Sequence, residues 1–181
     1  MTDNKGIDYL LAAFALLRKN NNNIKLILKD QSNLYNIKSQ KILDKLKNTK
    51  YENLISEDLI NNIFFISRNM DLSTLNELYN ITDCYVSPYR AEGFNLTPLE
   101  AAACGTPIIV TKGGSTDDYF DEKLGLQIES SIIQNGNLTS LKPKIDSLVE
   151  CILSVMENPK AYGGLNGSEY IKKNFTWYSA V

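Results

Sequence analysis

Short apolar runs alternate along the chain with longer stretches in which apolar residues recur every three or four positions. Gly6 to Lys19 carries Ile7, Leu10, Leu11, Phe14 and Leu17 at helical spacing, which predicts a helix laying one face on a sheet. The polar Asn20 to Asn23 interrupts that stripe, and Ile24 to Leu28 predicts a short strand. Leu34 to Leu46 is helical again through Ile37, Ile42, Leu43 and Leu46, with Lys38, Lys41, Lys45 and Lys47 turned to solvent. Ile63 to Ile66 is apolar throughout, the pattern of a strand covered on both faces of a parallel sheet.

After the polar loop Ser67 to Asp71, a helix is expected from Leu72 to Tyr79 with Asp71 as its N-cap. Cys84 to Ser87 predicts a strand, Leu96 to Cys104 a helix, and Thr106 to Thr111 another buried strand. Ser140 to Glu157 reads as one long helix, Pro159 as the start of another, and Phe175-Thr176-Trp177 as the beginning of one left unfinished. This alternation predicts an α/β fold, a Rossmann-like parallel sheet with helices on both faces, in which ligands gather at the carboxyl ends of strands. One domain over residues 1–181 is expected, and a strand ought to precede the Lys5-Gly6 loop, so the chain reads as part of something longer.

Composition narrows the chemistry. Basic and acidic residues nearly cancel, 19 against 21, with no cluster of Lys and Arg dense enough for a phosphate-backbone groove, so nucleic acid is an unexpected partner. Cys84, Cys104 and Cys151 stand in apolar contexts without metal spacing and read as small hydrophobes in a reducing compartment. Neither a transmembrane run nor a signal peptide is visible, which predicts a cytoplasmic chain. The sequence has no histidine, which removes the commonest general base and metal ligand; no metal and no cofactor are expected.

The chemistry concentrates between Tyr85 and Tyr119. Glu92 and Glu100 stand eight apart, but Gly93 and Pro98 disfavour one continuous helix, so Glu92 is placed in a loop and Glu100 in the first turn of the helix that follows. A helix amino terminus offers unpaired N–H groups and partial positive charge to a phosphate, and a carboxylate accepts paired hydrogen bonds from sugar hydroxyls. Blander readings fit the same residues. Thr97-x-x-Glu100 with Pro98 matches a capping box, Glu92 and Lys5 can simply be solvated, and Lys112-Gly113-Gly114 can be an ordinary turn.

The spacing of Asp83 and Pro88, followed by Glu92-Gly93-Phe94, Leu99-Glu100-Ala101 and Gly105-Thr106-Pro107, resembles the Glu-x7-Glu signature of group 1 (family 4) retaining glycosyltransferases. Lys5-Gly6-Ile7-Asp8 and Phe175-Thr176-Trp177 resemble that family's Lys-Gly segment and closing Phe-Ser-Trp. The resemblance implies a GT-B enzyme of which this is the carboxyl-terminal, nucleotide-sugar-binding domain, with acceptor contacts in an amino-terminal domain. It places Glu100 on the ribose hydroxyls, Glu92 at the donor sugar, Lys5 with the backbone of Asn95, Leu96 and Thr97 at the diphosphate, and Gly93 and Phe94 in the same donor-binding site, with Glu92 and Lys5 as the catalytic pair. Arg68 and Asn69, in the loop from Ser67, would border the base. Asn95 departs from the commonest form of the motif, which has Gly there, and so does Ala103.

For the whole enzyme, the resemblance implies attack of an acceptor hydroxyl on the anomeric carbon with retention, charge on the leaving diphosphate being stabilised electrostatically. The fragment alone is expected to be inactive. The diphosphate-binding Arg that accompanies the family's Lys would lie ahead of Met1. Surface polysaccharide or glycolipid synthesis is the implied setting, with a glycan or lipid-linked glycan as acceptor and any membrane contact peripheral, through the other domain. A glycosidase would need a defined pair of carboxylates across the bond, and a dinucleotide dehydrogenase a Gly-x-Gly-x-x-Gly after a strand, which is absent. The alternative from another class is a non-catalytic nucleotide-sugar sensor or assembly domain.

Overall fold

In the computed structural model, which describes residues 3–21, 23–29, 44–136 and 138–175, the stripe after Gly6 forms helix α1 (Ile7–Asn20). Two parallel sheets lie beside it. β1 (Leu26–Lys29) pairs with β2 (Ile63–Ile66), and β3 (Tyr85–Ser87), β4 (Ile108–Thr111) and β5 (Gly125–Ile128) form the second sheet with β4 in the middle. Between them run helices α2 (Glu57–Asn61), α3 (Leu72–Asn80) and α4 (Leu96–Ala103); α5 (Ile145–Glu157) and α6 (Gly164–Asn174) follow the last strand.

The central strand shows how the layers arise. Successive side chains of a strand point to opposite faces. Ile108 and Val110 therefore enter a cluster with Leu99, Ala101 and Ala102 of α4 and Ile171 of α6, while Ile109 packs with Ala13 and Leu17 of α1 and Leu148, Ile152 and Val155 of α5. Helices cover both faces, as the alternating pattern predicts. α1 also reaches the other sheet, where Leu10, Leu11 and Phe14 pack with Leu28 and Ile63.

Several elements differ from the sequence reading. The first strand begins at Leu26 rather than Ile24. β2 has the expected bounds but is not covered on both faces: Phe64 is 45% exposed, and among the described residues β2 pairs with β1 alone. The long helix expected from Ser140 starts at Ile145, since Ser140 to Pro143 belongs to β7 (Leu138–Pro143), antiparallel to β6 (Ser130–Asn135). Pro143 biases its predecessor toward extended backbone and explains why the helix begins only beyond it. The helix expected at Pro159 starts at Gly164 instead, after a turn in which Gly163 has φ +66°. β5 and β6 have no counterpart in the sequence reading.

Asp71 caps α3 as anticipated, its side chain accepting from the Thr74 N–H at 2.8 Å, and hydrogen bonding by the Thr74 side chain, then by that N–H, holds its carboxyl below the usual range. The helix expected over Leu34 to Leu46 lies largely outside the described residues, of which Asp44–Leu46 form one 3-10 turn. Phe175 ends α6, and Thr176 and Trp177 lie outside the described residues. All three cysteines are free thiols. Burial pushes the Cys84 thiol up to about 12, consistent with an inert small hydrophobe.

Candidate functional site

Two stretches far apart in sequence meet at the carboxyl end of β3. Asp3–Lys5 form one 3-10 turn, and Gly6 starts α1 with φ +65°, a left-handed conformation open to glycine at little cost. A β-carbon at Gly6 would stand 1.8 Å from the Pro88 carbonyl oxygen, so only glycine lets the start of α1 approach the loop after β3 this closely. The Arg90 N–H donates to the Asn4 carbonyl at 2.7 Å. Its guanidinium grips both carboxylate oxygens of Asp8, donates to the Asp3 carbonyl at 2.7 Å and stacks over the Tyr9 ring.

This clamp brings Lys5 to Glu92: the ammonium lies 2.6 Å from Oε1, with the lysine side chain 45% exposed and the carboxylate 17%. Asn4, Lys5, Ala91, Glu92 and Gly93 line a shallow cavity of about 400 Å³. A β-carbon at Gly93 would meet no atom within 4 Å, so the main chain there stands open to close approach. Lys5 and Glu92 are thus partners, not separate solvated charges.

Two residues further on, Asn95 has φ +63° and is buried, and it precedes the first residue of α4. Glycine tolerates this left-handed turn, and asparagine is the side chain that enters it most readily. Its amide points inward, donating to Ser87 Oγ at 3.0 Å, and its carbonyl accepts from the Tyr119 hydroxyl at 2.9 Å. The side chain consequently does not cap α4. Pro98 contributes no N–H, so the leading backbone donors of the helix are those of Leu96 and Thr97. Leu96 and Phe94 are exposed, and the Phe94 ring rests against Tyr119 with centroids 5.4 Å apart.

The capping-box reading of Glu100 does not hold. α4 begins at Leu96, which makes Thr97 its second residue and Pro98 its third and carries Glu100 past the first turn. Glu100 instead accepts a hydrogen bond from the Tyr79 hydroxyl at 3.0 Å through Oε2. Tyr79, near the end of α3, is buried, and its ring meets Tyr85 edge-on with centroids 6.0 Å apart. The Tyr85 hydroxyl donates to Thr97 Oγ1 at 3.0 Å. Burial raises both phenols above their ordinary range, with the Glu100 carboxylate adding to the effect at Tyr79, so both remain protonated donors.

Arg68 and Asn69 sit in the loop after β2, exposed, and make no ion pair or hydrogen bond to Lys5, Glu92 or Glu100. The Lys112-Gly113-Gly114 loop does stand at the carboxyl end of β4, with Lys112 paired to Glu129 and the Gly113 N–H donating to Asp117. A larger cleft of about 670 Å³, between Tyr9, Tyr51 and the start of α5, contains none of the motif residues and is lined by both Lys50, Lys142 and Lys144 and Glu129, Asp146 and Glu150. Tyr79, Tyr85, Asp8 and Arg90 were not singled out by the sequence reading, because their roles depend on contacts between distant segments.

Residues 1–173 match the family described as Glycosyl transferases group 1. The chain is 28% identical over 129 residues to the lipopolysaccharide core biosynthesis mannosyltransferase LpsB of Rhizobium meliloti, a match covering 68% of the chain and 32% of that protein. It spans about a third of the length of the curated relatives it matches. Its fold is similar to that of sucrose-phosphate synthase from Thermosynechococcus elongatus (TM-score 0.74, 23% identity, 98% of this chain and 40% of that one). It is also similar to the C-terminal domain of a glycosyl transferase group 1 family protein from Francisella tularensis (TM-score 0.69, 18% identity, 98% of this chain and 83% of that one).

Proposed function

The chain belongs to the group 1 glycosyltransferases, and from that membership we propose that it is the nucleotide-sugar-binding domain of a retaining enzyme. Transfer runs from a nucleoside diphosphate sugar to an acceptor hydroxyl. The observation that carries this reading is the convergence of the Lys5–Glu92 pair and the uncapped start of α4 on one edge of the sheet. A diphosphate needs a cation and oriented N–H donors, and Lys5 with the amides of Leu96 and Thr97 supply both. As the bond from the anomeric carbon to the diphosphate breaks, negative charge grows on the leaving oxygen, and these fixed donors stabilise it without reorganising.

Glu92 then positions the donor sugar, beside Gly93 and Phe94, and Glu100 receives the ribose hydroxyls. Arg68 and Asn69 fall at the carboxyl end of β2, where the base would extend. The acceptor, a glycan or lipid-linked glycan, is met by a second domain, in surface polysaccharide or glycolipid synthesis; the similarity to the Rhizobium lipopolysaccharide core biosynthesis mannosyltransferase supports this setting. No metal or cofactor is invoked, because Lys5 and the amides of Leu96 and Thr97 supply the positive charge and N–H donors that the leaving diphosphate needs. Among the described residues no helix is long and apolar enough to cross a membrane.

Calorimetric titration of the full natural polypeptide with UDP, GDP and ADP tests the reading. One nucleotide should bind selectively, and Glu100→Ala should weaken it roughly tenfold or more, the loss of a charge-assisted pair of hydrogen bonds. Failure of a folded protein to bind any of the three, or indifference to Glu100→Ala, contradicts the assignment.

A further inference from the structure

Glu100 is an exposed side chain on an exposed helix face, and a glutamate free to rotate makes a poor receptor for two hydroxyls held in fixed geometry. The structure gives it one anchor, the Tyr79 hydroxyl on Oε2, and leaves Oε1 without a protein partner among the described residues. Tyr79 itself is fixed independently of Glu100. Its backbone carbonyl accepts from Thr82 Oγ1 at 2.9 Å and from Thr106 Oγ1 at 2.8 Å, and its ring is held edge-on by Tyr85 in the core shared by α3, α4 and β4. The phenol is therefore the rigid member of the pair and the carboxylate the member that is held.

We infer that Tyr79 is a positioning residue for nucleotide recognition: its hydroxyl sets the Glu100 carboxylate in the orientation that receives the vicinal diol of a ribose. The inference rests on the donor-site reading above. Tyr85 and Thr97 repeat the arrangement one turn nearer the start of α4, a second, partly buried phenol holding a side chain of the same helix. The two tyrosines form a floor that fixes α4 side chains from beneath. Neither hydroxyl would touch the substrate, so Tyr79 acts only through Glu100.

Tyr79→Phe keeps the ring, its packing against Tyr85 and both hydrogen bonds to its carbonyl, and deletes only the donor. In the full natural polypeptide, affinity for whichever of UDP, GDP and ADP binds best should fall about tenfold, the effect of one hydrogen bond to a charged acceptor. Affinity for the 2′,3′-dideoxy form of that nucleotide should not change, and Tyr79→Phe should add nothing in a Glu100→Ala background. In the unliganded protein the Glu100 carboxyl carbon resonance should move. Equal loss for ribo and dideoxy forms, or an unmoved resonance, overturns the inference. Loss with Glu100→Ala but none with Tyr79→Phe overturns it while leaving the donor-site reading intact, whereas indifference to Glu100→Ala overturns both.

Discussion

Asn95 is held at φ +63° by its side-chain amide, which donates to Ser87, and by its backbone carbonyl, which accepts from Tyr119, so a single residue sets the turn from Glu92 into α4. Alanine there combines left-handed strain with loss of the amide bond, and Asn95→Ala should cost about 2 kcal/mol in urea unfolding. Asn95→Gly, which removes the strain and loses only the bond, should cost about 1 kcal/mol. Equal losses would contradict the conformational part of the account. The departure from Gly at this position, legible in the sequence, thus has a physical explanation: asparagine tolerates the same backbone and adds an inward anchor. The loop placement of Glu92 and the helical placement of Glu100 were also legible, through the intervening Gly93 and Pro98, although Glu100 lies past the first turn in which the pattern put it. Their partners were not. Lys5 lies 87 positions from Glu92 and Tyr79 lies 21 from Glu100, and no local pattern links either pair.

Among the elements, the loop between β3 and α4 is held from two sides. Arg90 ties it to the segment from Asp3 to Asp8, while its carbonyl accepts from the Leu141 N–H of β7 at 2.7 Å. Lys5 and Glu92 keep their separation through this clamp. A double-mutant cycle on Arg90→Met and Asp8→Asn should give a coupling energy of about 1 kcal/mol, the pair being bidentate and only partly exposed; additive losses would show that the ion pair does not couple the segments. The hairpin that supplies Leu141 escaped the sequence reading for two reasons. β6 is dominated by Ser, Gln and Asn with only Ile132 and Ile133 apolar, and the apolar positions of β7 run on into α5, so the two fuse into an apparent single helix. β4, buried along its whole length, and α1, with its long stripe, were legible because their periodicity is uninterrupted.

Over the whole molecule, the parallel sheets and their two helix layers bring the carboxyl ends of β3 and β4, the start of α1 and the start of α4 to one edge, and near-neutral overall charge leaves recognition to that local arrangement. The chain spans about a third of the length of the curated relatives it matches, and in the proposed enzyme the remaining length supplies the acceptor side. In the proposed enzyme the diphosphate is received at the amino terminus of α4, beside Lys5. Backbone amide NMR of the isotopically labelled full polypeptide, titrated with UDP, GDP and ADP, tests it directly. The amides of Glu92 to Thr97 and of Lys5 and Gly6 should shift together with the binding nucleotide. Shifts confined to the cleft formed by Lys50, Lys142 and Lys144, with the Glu92 to Thr97 amides unmoved at saturation, would contradict it.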